Sequence, residues 1–202
     1  MVIHVDDILL ATNDLGLMNE TKQFLSRSDM KDLSEASFVL GIEIKKDKSH
    51  GLLGLSQRSY IESVIKTFNM QDCRPGVTPV VKGDKLSKDQ CPKNKVEMRT
   101  IKDMPYACVV GCLMYIQVCT RPDIAFAVNM LGRFSSNPGW VHWVAAKKVM
   151  RYLQRIKDFM LVYKKVDDLD LLVYSDYDFV GCQDTMKSTS GYIFMLGGGA
   201  IS

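Results

Sequence analysis

No stretch of this 202-residue chain stays apolar for the roughly 20 residues that a membrane-spanning helix needs, which excludes a helical span within it. Histidine is scarce, with residues at 4, 50 and 142 only. The six cysteines, at 73, 91, 108, 112, 119 and 182, contain no Cys-x-x-Cys pair. These two shortages argue against a zinc site and leave Cys108 and Cys112, spaced to share a helix face, as a weak signal. Reduced thiols in an intracellular protein, cytoplasmic or nuclear, are the plainer reading. The opening Met1-Val2-Ile3-His4-Val5 has neither a basic leader nor a small-residue cleavage site, so no export signal is visible. A net charge of +3 is too mild to demand a polyanionic partner by itself, and the distribution of charge decides instead. What remains is ordinary: 47% hydrophobic and 24% charged residues can build one large or two small packed domains.

The pattern along the chain predicts an α+β fold. Val2 to Ala11 is an apolar run broken by His4 and Asp6-Asp7, which suits two short strands around a tight turn. Asn13 or Asp14 can cap a helix running to about Ser26. Residues 38–45 and 52–55 flank a turn at Gly51 as a second hairpin, and Ser56 opens a helix with Tyr60, Ile61, Val64, Ile65 and Phe68. Residues 72–104, with Pro75, Pro79 and Pro92 among many charges, read as an extended linker. Three helices follow. Pro105 to Cys119 is apolar nearly all round and should be buried; Thr120-Arg121-Pro122-Asp123 opens a second, to about Ser135; Val141 to Lys157 forms the third. Leu171 to Asp176 and Gly191 to Leu196 are strands. An isolated hairpin is marginal, so both ends are expected to continue into further sequence.

Three groups of residues bear on chemistry. Asp6 and Asp7 at a hairpin turn are oxygen ligands of the kind that hold Mg²⁺ for phosphoryl transfer. Aspartates are also common in turns for purely local reasons. Asp176, with Asp178 beyond it, ends a strand, where a carboxylate can reach a metal or simply meet solvent. Lys147, Arg151 and Arg155 recur every four residues, with Lys148 beside them, either as a track for phosphates or as an ordinary solvated helix face. Tyr60, Phe68, Tyr115 and Phe126 read as core, and Gly197-Gly198-Gly199 lacks the context of a phosphate cradle.

The order of these strings carries more than any one of them. His4-Val5-Asp6-Asp7-Ile8-Leu9-Leu10-Ala11 resembles the Tyr-Val-Asp-Asp hairpin of reverse transcriptases in copia-type retrotransposon Pol polyproteins. Residues 38–44 and 55–61 resemble that family's primer-grip hairpin and first thumb helix. Residues 120–128 and 142–153 resemble its bridge to RNase H, and residues 174–181 and 187–192 the opening strands of that RNase H. The resemblance implies palm hairpins and the start of a thumb in 1–71, a linker in 72–104, thumb or connection helices in 105–166 and a truncated RNase H-like sheet in 167–202. It implies Mg²⁺ held by Asp6 and Asp7 for polymerisation, with Asp176 as the first RNase H carboxylate. It places Leu40 and Gly41 beside a primer strand, with a template-primer or RNA–DNA hybrid as partner and no membrane. It gives Lys147, Arg151 and Arg155 a purpose as a hybrid-facing surface.

The departures are specific. The family's first polymerase aspartate lies upstream of the hairpin, and further RNase H carboxylates lie beyond Ser202. Position 4 is His where the family usually has Tyr, and the stretch Ser26 to Met30 is one residue short. The isolated chain is therefore expected to be inactive, its missing palm, fingers and RNase H segments supplied by the intact polyprotein. The alternative is a non-enzymatic remnant that only binds nucleic acid.

Overall fold

The apolar run at the N-terminus folds as a hairpin of β1 (Val2–His4) and β2 (Asp7–Leu9), paired Val2 to Leu9 and His4 to Asp7. This is a computed structural model describing residues 1–5, 7–81, 84–167, 169–177, 184, 188 and 190–201, with the backbone alone at His4 and Tyr177. Asp14 caps α1 (Leu15–Leu25) by accepting from the amides of Gly16 and Leu17, yet α1 buries none of its residues. β3 (Phe38–Val39), β4 (Ile42–Asp47) and β5 (Leu52–Ser56) form an antiparallel sheet. α2 (Arg58–Thr67) follows at once and turns Ile61, Val64 and Ile65 inward.

The core is helical. α4 (Tyr106–Cys119), α5 (Ala125–Gly132) and α6 (Trp140–Ile156) pack with α2 around Val109, Leu113, Ile116, Val128, Leu131, Ala146, Met150 and Leu153, each at most 1% exposed. These residues recur three and four apart, which places them on single helix faces. Two sequence expectations fail here. α4 has no charged residue, but only one side of it is covered: Met114 and Val118 are 47% and 76% exposed. Phe126 likewise points outward rather than into the core.

Residues 72–104 are less extended than their prolines and charges suggest. They contain a 3-10 turn at Lys88–Gln90 and α3 (Lys95–Ile101), which Asn94 caps by accepting from the Glu97 amide at 2.8 Å. After α6, β6 (Leu161–Lys164) returns to pair with β5, completing the sheet order β3-β4-β5-β6. β7 (Leu171–Tyr177), β8 (Ser190–Leu196) and β9 (Gly199–Ala200) make a third, three-stranded sheet. Gly197 and Gly198, both at positive φ, turn β8 into β9 and bring the Gly197 carbonyl to the Lys164 amide. The Tyr163 hydroxyl donates to the Ala200 carbonyl at 2.5 Å across the same joint. The glycine run thus serves a turn docked on β6. Among the described residues, no helix is long and apolar enough to cross a membrane.

Candidate functional site

The β1–β2 hairpin reverses direction within two residues, because His4 pairs with Asp7. Val5 takes φ +50°, a left-handed conformation that a β-branched residue rarely adopts, so this turn holds local strain. Asp7 is the first residue of β2 and is exposed. Asp6 and Asp178 lie outside the described residues. Asp176 sits on β7 opposite Gly191, exposed and in a different sheet from Asp7. The two described carboxylates thus belong to separate sheets. Among the described residues no three His, Cys, Asp or Glu side chains converge to hold a metal ion. Asp7 nevertheless suits Mg²⁺ in kind: it is a hard oxygen donor, open to the water that Mg²⁺ keeps in its shell.

Leu40 and Gly41 form the two-residue turn between β3 and β4, at φ +51° and +74°. Two positive φ values in succession match the twist of a tight hairpin, and glycine meets that demand without strain. The turn rests on two tyrosines that sequence reading places in the core. The Tyr115 hydroxyl donates to the Leu40 carbonyl. Tyr60 meets Tyr115 edge-on, ring centres 5.1 Å apart, and its side chain lies nearest the space beside Gly41. Burial, reinforced by the Cys112 thiol, pushes the Tyr60 hydroxyl up to about 12. The hydroxyl group was the available signal, since a half-buried Tyr, unlike Phe, needs a polar partner.

The basic row on α6 is real in spacing and divided in use. The Lys147 ammonium lies over the rings of Trp140 and Trp143, 5.4 and 5.7 Å from their centres. Lys148 pairs with Asp84 at 2.8 Å and holds that carboxyl below its usual range. Arg151 donates to the Arg74 carbonyl at 2.6 Å, and its own carbonyl accepts from the Gly76 amide at 2.8 Å. Gln154 donates to the Gln71 carbonyl. Residues 71–76 therefore run along α6, tied by backbone groups that would otherwise be left to water. Arg155 is exposed.

Behind this row lies a polar lock that the sequence motif marks without explaining. Arg121, 7% exposed, donates to both Asp123 oxygens at 2.9 and 2.6 Å and to the Ile156 carbonyl at 3.0 Å. The Tyr152 hydroxyl also donates to Asp123 at 2.6 Å. Burial would raise the Asp123 carboxyl, but the bonds from Arg121 and Tyr152 hold it below the ordinary range. One motif thus fastens the start of α5 to the end of α6. An open cleft of about 380 Å³ between α3 and residues 135–138, lined by Arg99, Lys102, Ser135 and Asn137 among others, contains none of the predicted site residues.

Comparison with known proteins places these features in a lineage. The profile of the family described as Reverse transcriptase (RNA-dependent DNA polymerase) matches residues 1–82. Over 203 residues, all of the chain, it is 43% identical to the retrovirus-related Pol polyprotein from transposon TNT 1-94 of Nicotiana tabacum and spans 15% of that polyprotein. It is 38% identical over 203 residues to the Pol polyprotein from transposon RE1 of Arabidopsis thaliana and spans 13% of it. An uncharacterized mitochondrial protein of Arabidopsis thaliana is 34% identical over 204 residues, and there the chain spans 80% of the relative. No solved structure matches.

Proposed function

Because the chain belongs to the reverse transcriptases of copia-type retrotransposon Pol polyproteins, we propose that it supplies the metal-binding hairpin and the primer-side helices of an RNA-directed DNA polymerase. In this reading residues 1–71 are palm and the start of the thumb, and 72–104 link them to the thumb or connection helices of 105–166. Residues 167–202 are the opening strands of an RNase H-like domain. Asp6 and Asp7 would hold Mg²⁺, and Asp176 would be the first carboxylate of the second site. When bound, Mg²⁺ supplies the charge that steadies the attacking and leaving oxygens in nucleotidyl transfer.

The observation that carries the reading is the hairpin register. With His4 opposite Asp7, the carboxylate of Asp7 follows immediately on a sharp reversal and stays open to solvent. Leu40 and Gly41, held from behind by Tyr60 and Tyr115, present a rigid backbone turn suited to lie against a primer strand. The row Lys147, Arg151 and Arg155 supplies positive charge for the template-primer or RNA–DNA hybrid.

The test is a replacement. The matching 203 residues of the tobacco polyprotein are exchanged for this chain, and Mg²⁺-dependent primer extension on an RNA template is measured. Extension is expected, and its loss on Asp6→Asn with Asp7→Asn. Extension that survives both substitutions would sink the assignment. A folded exchange protein with salt-dependent hybrid binding and no extension would instead favour a binding-only remnant.

A further inference from the structure

Resting on that nucleic-acid reading, we propose that Trp140, Trp143 and Lys147 form a stacking site for an unpaired nucleobase, so that the start of α6 takes a single-stranded segment next to the duplex that the basic row meets. The three occupy positions i, i+3 and i+7 of one helix and share a face. Lys147 holds its ammonium 5.4 Å from one indole centre and 5.7 Å from the other. Core packing accounts for Trp143, which lies partly buried against the helical cluster. It does not account for Trp140, which is 54% exposed. An indole normally contributes through burial of its large apolar surface, so one left half in water forgoes much of that stabilisation.

Charge completes the case. α6 carries four cations between Lys147 and Arg155 and no carboxylate. Lys148 is neutralised by Asp84. The bond from Arg151 goes to an uncharged carbonyl, which leaves its positive charge uncompensated by that contact. Lys147, Arg151 and Arg155 therefore present charge at intervals of about 6 Å along the helix, with an aromatic face at its start. Phosphate-tracking cations beside an aromatic platform are what single-strand binders combine, because any base can stack and the sequence need not be read. A duplex keeps its bases stacked on one another and cannot offer one to Trp140.

Trp140 and Trp143 are the two tryptophans of the chain, so its intrinsic fluorescence reads this site directly. The purified chain is titrated with oligothymidylate, with a blunt RNA–DNA hybrid and with dextran sulfate, a polyanion without bases. Oligothymidylate should quench the fluorescence, and Trp140→Ala should weaken its binding by about tenfold or more. Trp140→Phe should restore most of that affinity, and hybrid binding should change less than about twofold in either variant, since a duplex leaves the ring unused. Equal quenching by dextran sulfate, or unchanged oligothymidylate affinity in Trp140→Ala, overturns the stacking site while leaving the basic row intact. Failure to bind either nucleic acid removes the nucleic-acid reading itself. The quench of the unaltered chain needs no variant, so misfolding of a variant cannot mask the answer.

Discussion

Arg121 keeps a full charge at 7% exposure, which is tolerable only because its donors are matched by Asp123 and the Ile156 carbonyl. Removing one partner of such a pair strands the other. Arg121→Met should therefore destabilise the fold by about 2–4 kcal/mol, below the range for a fully buried pair because the Asp123 side chain is still partly wetted. The urea midpoint reads this directly, and an unchanged midpoint would refute the lock. The same pair sets an acid limit. The Asp123 carboxyl is lowered in the fold, so its stabilisation is present above the unfolded value of about 3.9 and is lost as pH falls through the lower folded value. His142 sets a second limit. It is 0% exposed, stacked on Phe134 at 4.0 Å, and its Nδ1 accepts from the Gly139 amide at 2.7 Å. Its Nε2 makes no hydrogen bond of normal geometry to the described residues. Burial lowers its pKa, opposed by the nearby Ser87 backbone and the charge of Asp184. The unfolded chain thus takes up a proton at about pH 6.5 where the fold refuses it, and stability falls as pH drops below that value towards the folded one. His142→Gln should flatten the change in urea midpoint between about pH 7.5 and 5.5. An undiminished slope in the variant would assign that change to other groups.

At the scale of elements, the contact between the Lys88–Gln90 turn and the start of α6 is close enough to test with one methyl group. A Cβ on Gly139 would lie 1.8 Å from the Gln90 carbonyl oxygen, a backbone atom that cannot swing aside. Gly139 has φ −101°, which any residue adopts, so only packing forbids alanine there. Gly139→Ala should cost about 1–3 kcal/mol as overpacking and lift the turn from α6, speeding tryptic cleavage at Lys85, Lys88 and Lys93. Unaltered cleavage would mean that the segment is not held there. Nothing in the local sequence of residues 71–76 foretold their contact with α6, because its partners are the backbone carbonyls of Gln71 and Arg74 meeting side chains of α6. α3 was legible in principle: Asn94 and Glu97 form a reciprocal start signal, overshadowed by Pro92 and the surrounding charges. The faces of α2 and α6 were plain because apolar residues recur at helical spacing over ten and seventeen residues. β6 was not, since its four residues become a strand only by pairing with β5 across more than a hundred positions. In the candidate site, the aspartate pair and the basic row can be read from the string. The tyrosines beneath Leu40 and the indoles around Lys147 become meaningful only when the fold brings them together.

For the molecule as a whole, stability is concentrated in one place and the predicted chemistry stands outside it. The buried cluster draws on α2, α4, α5 and α6, whereas α1 buries nothing and the β1–β2 hairpin exposes Val2, Ile3 and Val5 at 55%, 62% and 81%. An eleven-residue helix without tertiary burial is shorter than the roughly 12–15 residues at which isolated helices become even marginal. A two-stranded hairpin is marginal for the same reason. β7 shares the pattern, with Leu171, Leu172, Val173 and Tyr174 all more than half exposed. Opening of these elements breaks few buried contacts, so it should cost far less than global unfolding. Native-state hydrogen exchange should then separate two classes. Amides of Val109, Leu113, Val149 and Leu153 should exchange only through global unfolding and share one free energy. Amides of α1 and of the β1–β2 hairpin should exchange orders of magnitude faster and respond weakly to low denaturant. Equal protection of both classes would show that the carboxylate hairpin is fastened to the core by contacts beyond its own ladder. Unequal protection would show that the hairpin is held by little more than its own ladder, so that under the proposed function the rigidity of a metal site would have to come from what packs against it.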